Sequence, residues 1–281
     1  DRVPGKISPK DELERLAEIV MEQGDHLRAL ARLMSRAGKA LQDRTARILD
    51  LLEETHPEAT CALGPRDPFQ LLIATILSAQ CTDQRVNQVT PALFARYPTP
   101  VAMAQAPILD LEQLIRSTGF FRAKAKSIQG CSRALLAEHQ GRVPKSLEAL
   151  VKLPGIGRKT ANVVLSHAFG VAEGIAVDTH VFRVSNRLGI AKGDDAVEVE
   201  RQLMAIVPKE RWARTTDLMI FHGRKICDAR RPVCGSCPLF SCCLWKDRQA
   251  VALGAAGRPG PPKRTSRAAA DKPSLPKKGQ P

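Results

Sequence analysis

Apolar residues recur at helical spacing along nearly the whole chain, and this periodicity constrains the fold more than any other feature of the sequence. One face of a predicted helix, for example, carries Leu71, Leu72, Thr75, Ile76 and Ala79. No segment shows the alternation of apolar and polar residues that is typical of a half-buried β-strand. Proline and glycine interrupt the pattern at intervals, as expected where helices end. The sequence therefore predicts an all-α fold.

A turn that contains proline and glycine, LPGIGRK at residues 153–159, separates two of the predicted helices. Pro154 ends the first helix because it has no backbone N–H group, and Arg158 begins the second. Gly155 and Gly157 are expected to adopt positive φ angles and to let another part of the chain approach closely. Unpaired N–H groups at the start of the second helix, together with its dipole, suit a phosphate oxygen. An ordinary corner between helices is the alternative.

Four cysteines near the end of the chain follow the pattern C-x6-C-x2-C-x5-C, formed by Cys227, Cys234, Cys237 and Cys243. Four thiolates at this spacing suit either a tetrahedral zinc ion or an iron–sulfur cluster, and the spacing does not choose between them. Cys242 stands next to Cys243. Either of these two residues fits as the fourth ligand on spacing alone.

The chain is strongly basic, because 43 Lys and Arg residues outnumber 29 Asp and Glu residues and give a net charge of +14. Such an excess favours a polyanionic partner. Aromatic residues make up only 4% of the chain, which argues against a protein that stacks several unpaired bases on an aromatic surface. Contact with the backbone of a nucleic-acid duplex fits better.

The sequence gives no sign of a membrane partner. No apolar run approaches the roughly 20 residues that span a bilayer, and the N-terminal residues lack the pattern of a signal peptide. We therefore expect a soluble intracellular protein, cytoplasmic or associated with the nucleoid if the source is bacterial.

Several motifs in a fixed order resemble the endonuclease III family of helix-hairpin-helix (HhH-GPD) DNA glycosylases. They are LPGIGRKTANVVL from residue 153, AVDTH from residue 176 and the cysteine run, with LSAQ at 77–80, TGF at 118–120 and FHGR at 221–224. The resemblance extends from about residue 41 to residue 245. It implies base-excision repair: removal of oxidised or ring-damaged pyrimidines from double-stranded DNA, followed by nicking of the strand at the abasic site.

The resemblance also implies two helical lobes with DNA bound in the cleft between them. A six-helix barrel-type domain with the helix-hairpin-helix motif is expected at residues 61–171. A discontinuous iron–sulfur domain is expected from residues 41–60 together with residues 172–245.

Both ends of the chain extend beyond the resemblance. Residues 1–40 are expected to be a mainly helical extension, since residues 8–34 carry apolar side chains at helical spacing. This helix either packs on the core or binds an unknown partner. Residues 246–281 are expected to be a disordered basic tail, because they contain few large apolar groups.

Lys159 and Asp178 are the expected catalytic residues, by resemblance. The lysine would displace the damaged base, form a Schiff base with the opened sugar and break the strand by β-elimination. Asp178 would stabilise the cationic sugar. Attack requires the neutral amine, which partial burial of Lys159 and nearby positive charge, such as that of Arg158, would favour. The nucleotide must first be flipped out of the duplex.

Other residues match family positions that contact DNA. Gln80 matches the residue that enters the space left by the flipped nucleotide, and Phe120 falls where a wedge residue, often leucine, contacts the opposite strand. His180 would orient the site or contact phosphate. A purely structural role remains the alternative for these three residues. The hairpin residues expected to bind phosphate are Gly155, Gly157 and Arg158.

The cofactor implied by the resemblance is a 4Fe-4S cluster held by Cys227, Cys234, Cys237 and Cys243. It would hold a basic loop, including Arg230 and Arg231, against the DNA backbone, without taking part in base removal. One bound zinc ion is the alternative.

Two other functions stay open at this point, and a monomer is expected for all of them. An adenine-type monofunctional glycosylase shares the hairpin, the aspartate and the cluster but usually lacks the lysine. A non-catalytic DNA-binding protein with a structural metal site would use Lys159 only as a charge.

Overall fold

The computed structural model describes residues 34–65 and 67–254. The expected extension helix at residues 8–34 therefore lies almost entirely outside the described residues, as do residues 255–281. Helices and short 3-10 turns make up the secondary structure, and the described ranges contain no β-strand. The prediction of an all-α fold is confirmed.

Twelve helices follow one another in the described part of the chain. They are α1 (residues 34–55), α2 (Pro68–Leu77), α3 (Asp83–Arg96), α4 (Pro100–Gln105), α5 (Ile108–Leu114), α6 (Phe121–His139), α7 (Leu147–Leu150), α8 (Arg158–Phe169), α9 (Thr179–Leu188), α10 (Ala196–Ile206), α11 (Trp212–Lys225) and α12 (Arg248–Ala252). Four 3-10 turns lie between them, at Arg116–Thr118, Lys209–Arg211, Cys234–Ser236 and Phe240–Cys242.

Helix boundaries follow the capping residues in the sequence. Side chains of Asp67, Thr82 and Asp195 accept hydrogen bonds from first-turn N–H groups of α2, α3 and α10. Gly170 and Gly189 end α8 and α9 in the left-handed conformation, with φ angles of 66° and 68°. The two glycines set where α8 and α9 end, and both helices contribute to the site described below.

Buried apolar side chains form two separate clusters. The first core draws on α2 to α8, with Leu71, Leu111 and Leu165 among its fully buried members. The second core draws on α1, α9, α10 and α11 and includes Ile48 and Val181. The chain passes from the second core to the first after α1 and returns after α8, so the two lobes are connected twice.

Ion pairs join the two lobes across their boundary. Arg158 of α8 contacts Glu200 of α10 at 2.6 Å, and Arg224 of α11 contacts Asp83 of α3 at 2.7 Å. Because both pairs are only partly exposed, solvent screens them less than it screens a surface pair. They link the two lobes across the boundary.

The first nine residues of the expected disordered tail have a defined structure. Residues 246–254 are described, and Arg248–Ala252 form α12. Arg248 lies over the ring of Phe240 at 5.7 Å and donates a hydrogen bond to the carbonyl oxygen of Trp245 at 3.1 Å. The prediction for residues 246–254 was wrong because a composition argument does not see this docking of Arg248 on the cysteine-rich segment.

Candidate active site and cysteine cluster

One cavity between the lobes brings Lys159 and Asp178 together. The first core contributes α2 and α8 to its lining, and the second contributes α11 and the start of α9. The two residues come from the two motifs that the sequence analysis joined, LPGIGRK and AVDTH. The cavity therefore brings an amine and a carboxylate to one space between the lobes.

Lys159 is the second residue of α8 and is exposed. Its side chain forms no hydrogen bond or ion pair with the residues that the structure describes. The side chain lines the cavity and is still accessible to solvent. The amine is thus accessible from the cavity.

Asp178 is held in place by the helix it caps. Its Oδ1 atom accepts hydrogen bonds from the backbone N–H groups of His180 at 2.8 Å and Val181 at 2.9 Å. Within the described ranges its Oδ2 atom has no hydrogen-bond partner. The capping role does not compete with a chemical one, because one oxygen fixes the carboxylate and the other is left for the cavity.

The two hairpin glycines differ from each other. Gly155 has a φ angle of 80°, and a Cβ atom there would lie 2.8 Å from the Cβ atom of Ser127 on α6. Gly157 has a φ angle of −96°, and a Cβ atom there would meet nothing within 4 Å. The expected positive φ and close approach hold only for Gly155. At Gly157 the chain is extended, and open space lies in front of α8.

Gly157 is the N-cap residue of α8 and provides no side-chain hydrogen bond to the helix. The N–H groups of the first turn, which have no partner inside a helix, are therefore left for a ligand. The helix is 12 residues long, and its dipole places partial positive charge at this end.

Arg158 is less free than the sequence suggested. Its Nε atom donates to Oε2 of Glu200 at 2.6 Å, and this hydrogen bond raises the pKa of Arg158. Glu200 is buried and also accepts a hydrogen bond from Nδ2 of Asn162 at 3.0 Å. The charge of Arg158 is thus balanced by a buried carboxylate, although the side chain remains 46% exposed.

Gln80 and Phe120 lie in exposed turns, and both have left-handed backbones. Their φ angles are 52° and 46°, in a region that non-glycine residues rarely adopt. Gln80 follows α2, and Phe120 is the N-cap residue of α6 with 67% of its surface exposed. An apolar side chain this exposed is available for contact with a ligand.

His180 lies two residues after Asp178 but does not line the cavity that holds Lys159. Its Nδ1 atom lies 3.1 Å from Nη2 of Arg183, and burial lowers the pKa of the imidazole. His180 lines a second, more open cavity together with Asp83 and Arg224. Its contacts are those of a packed, neutral side chain.

Further polar residues line the wall of the main cavity, and the sequence analysis missed them. Nε2 of His167 on α8 lies 3.2 Å from Oδ1 of Asp217 on α11. Thr75 and Ser78 add hydroxyl groups from α2 and the residue after it. The spacing of His167, eight residues after Lys159 on one helix, was a signal that could have found it.

The four predicted cysteines also meet in one place. Cys227, Cys234, Cys237 and Cys243 line a single cavity beside α9. Cys242 is absent from this lining, and its Sγ atom lies 3.8 Å from the hydroxyl of Ser241. The geometry favours Cys243 as the fourth member of the set.

The chemistry of this set fits a bound cationic centre. Burial raises the pKa of Cys237 to about 11, and it also raises the pKa values of Cys234 and Cys243, which the other thiols raise further. Thiolates in such a site need positive charge close by. Arg187 supplies part of this positive charge, because its Nη1 atom lies 3.4 Å from Sγ of Cys227.

Four thiols that line one cavity match the ligand number of a tetrahedral zinc ion and of a 4Fe-4S cluster alike. The donor set therefore fits either group.

Comparison with known proteins gives the family. The HhH-GPD superfamily of base excision DNA repair proteins matches residues 73–209. Endonuclease III of Synechocystis sp. is 52% identical over 202 residues, which are 72% of this chain and 92% of the relative. The chain belongs to the endonuclease III family.

Solved structures of endonuclease III agree. A non-covalent endonuclease III–DNA complex and a trapped covalent endonuclease III–DNA intermediate each have a TM-score of 0.69 and 51% sequence identity. Each comparison covers 72% of this chain and 95% of the other.

The endonuclease III resemblance inferred from the motifs is thus confirmed. The family membership supports a DNA glycosylase of base-excision repair, and the similar endonuclease III structures are complexes with DNA. No helix in the described ranges has the length and apolarity needed to cross a bilayer.

Proposed function

We propose that this chain is a bifunctional DNA glycosylase and abasic-site lyase that removes oxidised pyrimidines from double-stranded DNA. The observation that carries the proposal is the cavity in which an unpaired, accessible Lys159 and a fixed Asp178 meet. A monofunctional glycosylase has no need of the amine.

DNA binding would begin with the backbone. The free N–H groups at the start of α8 suit a phosphate oxygen, and the open space at Gly157 lets a phosphate approach them. The net charge of +14 adds attraction that does not depend on sequence. The damaged nucleotide would then be flipped into the cavity between the lobes.

The chemistry can be written with Lys159 as nucleophile. The C1′–N bond of the damaged nucleotide breaks, and the base leaves with the bonding electrons and takes up a proton. The lone pair of the lysine Nζ atom forms a new bond to C1′, and opening of the sugar ring gives a Schiff base. Loss of a proton from C2′ then expels the 3′ phosphate and nicks the strand.

Asp178 would act while positive charge develops on the sugar. Its carboxylate is held by two backbone N–H groups, so little reorganisation is needed when the charge appears. The trapped covalent endonuclease III–DNA intermediate supports a covalent step for this family.

The wall of the cavity offers groups for recognising the base. His167 and Asp217 contact each other on one side of the cavity. The hydroxyl groups of Thr75 and Ser78 donate to backbone carbonyl groups of α2 and keep lone pairs that can accept a hydrogen bond. An oxidised pyrimidine carries added polar groups, and a wall of this kind can pair with them.

We also propose that Cys227, Cys234, Cys237 and Cys243 hold a 4Fe-4S cluster. When bound, it would supply structural cross-linking of the segment from residue 227 to residue 243. Arg230 and Arg231 lie on this segment, are exposed, and are fixed by backbone hydrogen bonds to Asp228 at 2.8 Å. Analysis of iron and acid-labile sulfide tests the proposal, and one zinc ion per chain without iron would contradict it.

The proposed activity is tested with three labelled duplexes at one salt concentration, containing thymine glycol, an abasic site or no damage. Nicking of the first two and not of the third is expected. Nicking of the abasic duplex alone would mean a lyase without base removal. Base removal without nicking, seen only after treatment with alkali, would favour the monofunctional alternative.

A further inference from the structure

Lys124 is a lysine that the site described above does not use, and it is only 5% exposed. It lies in the first turn of α6, where the helix dipole opposes a cation. Lysine is rarely buried without partners, because an ammonium group that leaves water must be compensated by hydrogen bonds. The position of Lys124 therefore requires specific acceptors.

These acceptors lie on two different segments. Nζ of Lys124 donates to the carbonyl oxygen of Leu77 at 2.8 Å and to that of Thr118 at 2.7 Å. Leu77 is the last residue of α2, where helical carbonyl groups lack partners within the helix. Thr118 ends the 3-10 turn before α6. One ammonium group thus connects two turns that are about 40 residues apart in the sequence.

Each of the two segments leads directly to an exposed residue with a left-handed backbone. Gln80 follows Leu77 after three positions, and Phe120 follows Thr118 after two. A strained backbone of this kind persists only where the surrounding structure holds it in place. The hydrogen bonds of Lys124 are therefore made at the bases of both turns.

We propose that Lys124 is a positioning residue that holds Gln80 and Phe120 in a fixed relation to each other, so that both can enter the DNA stack together. The inference rests on the proposed function, since a fixed relation matters only if a nucleotide leaves the duplex. Lys124 itself does not contact DNA. Its effect on base removal is transmitted through the other two residues.

A double-mutant cycle tests this transmission. Single-turnover nicking of a thymine glycol duplex is measured for the wild type, Lys124→Met, Gln80→Ala/Phe120→Ala and the combined variant. Lys124→Met is expected to slow nicking by about 10- to 100-fold, because a misplacement of about 1 Å can have an effect of that size. In the combined variant Lys124→Met is expected to slow nicking by less than about threefold more, because the side chains of Gln80 and Phe120 that it positions are absent. The proposal would be overturned if Lys124→Met slowed nicking by the same factor in the combined variant as in the wild type. It would also be overturned if Lys124→Met alone did not slow nicking.

Lys126→Met is the matched control. It removes the same charge from an exposed position of the same helix. Its effect, whatever its size, is expected to be equal in the wild type and in the Gln80→Ala/Phe120→Ala background. A dependence on the background as strong as that of Lys124→Met would also count against the proposal.

Hydrogen exchange of the free protein tests the same link without any activity. In Lys124→Met, backbone amides at residues 78–82 and 118–121 should exchange faster together, while the rest of α2 and α6 is unchanged. Lys124→Arg, which keeps a charged donor on a bulkier group, replaces Lys124→Met if that variant does not fold. Faster exchange at only one segment, or at neither, overturns the inference. If the wild type nicks no damaged duplex, the proposed function fails while this measurement still decides on Lys124.

Discussion

At the scale of single residues, the site separates a mobile group from a fixed one. Lys159 is exposed and unpaired, whereas the carboxylate of Asp178 is held by two backbone N–H groups. A nucleophile must move as it forms a bond, and a group that stabilises developing charge acts best when it is already in place. The two residues therefore predict different mutational behaviour.

Lys159→Gln is expected to abolish the covalent complex that borohydride traps with abasic DNA, since glutamine has no amine to form the Schiff base. Binding to the same DNA should fall by less than about tenfold, the effect of one lost phosphate-facing charge. Gel analysis after borohydride treatment measures the trapped complex, and a binding titration measures the affinity for the abasic DNA. Lys152→Gln removes the same charge just before the hairpin and should leave trapping intact. Persistent trapping in Lys159→Gln would mean that another amine is the nucleophile.

Asp178→Asn is expected to leave the fold intact and to slow base removal. Asparagine caps helices as well as aspartate does. The free energy of unfolding, measured by thermal unfolding, should therefore change by less than about 0.5 kcal/mol. Loss of the charge should lower the single-turnover rate about 100-fold or more, as is typical of a lost electrostatic contact in an active site. Asp195→Asn is the control, because Asp195 caps α10 with the same pair of hydrogen bonds, at 2.9 Å each. If both variants kept full activity, Asp178 would be only a cap.

At the scale of secondary-structure elements, the two glycines of the hairpin have different tasks. Gly155→Ala should destabilise the protein by about 1–3 kcal/mol, because its positive φ is strained for alanine and the new Cβ meets Ser127. Gly157→Ala should cost less, about 0.5–1 kcal/mol, because alanine is a poorer N-cap than glycine. It should weaken DNA binding, because its Cβ fills space that a phosphate would occupy. Thermal unfolding and DNA binding at fixed salt measure the two effects. Equal stability losses in both variants would contradict this division.

Elements were also the level at which the sequence was most informative. Helical periodicity and capping residues are local signals, and the all-α fold follows from them. The order of the motifs in the sequence singled out Lys159, Asp178 and the four cysteines, and the structure has them lining two cavities. The pairing of Arg158 with Glu200, the exposure of Lys159 and the contacts of Lys124 could not be predicted, because they depend on residues about 40 positions away or on which side of a helix faces the cleft.

At the scale of the whole molecule, charge and architecture act together. The two lobes are joined by two partly exposed ion pairs, so part of the positive charge is balanced by carboxylates of the protein itself. The remaining excess is available to attract DNA, and some of it lies beyond α12. Residues 255–281 contain seven Lys and Arg residues and one Asp.

Removing residues 255–281 is therefore expected to make DNA binding less dependent on salt. Each phosphate that the protein neutralises contributes about 0.9 to the slope of log K against log salt concentration, so the slope should become shallower by the number of lost contacts. Binding titrations of an undamaged duplex at several salt concentrations measure it. The single-turnover nicking rate at saturating enzyme should stay unchanged, because Lys159 and Asp178 lie in the retained lobes. An unchanged slope would show that these residues make no contact with the DNA backbone.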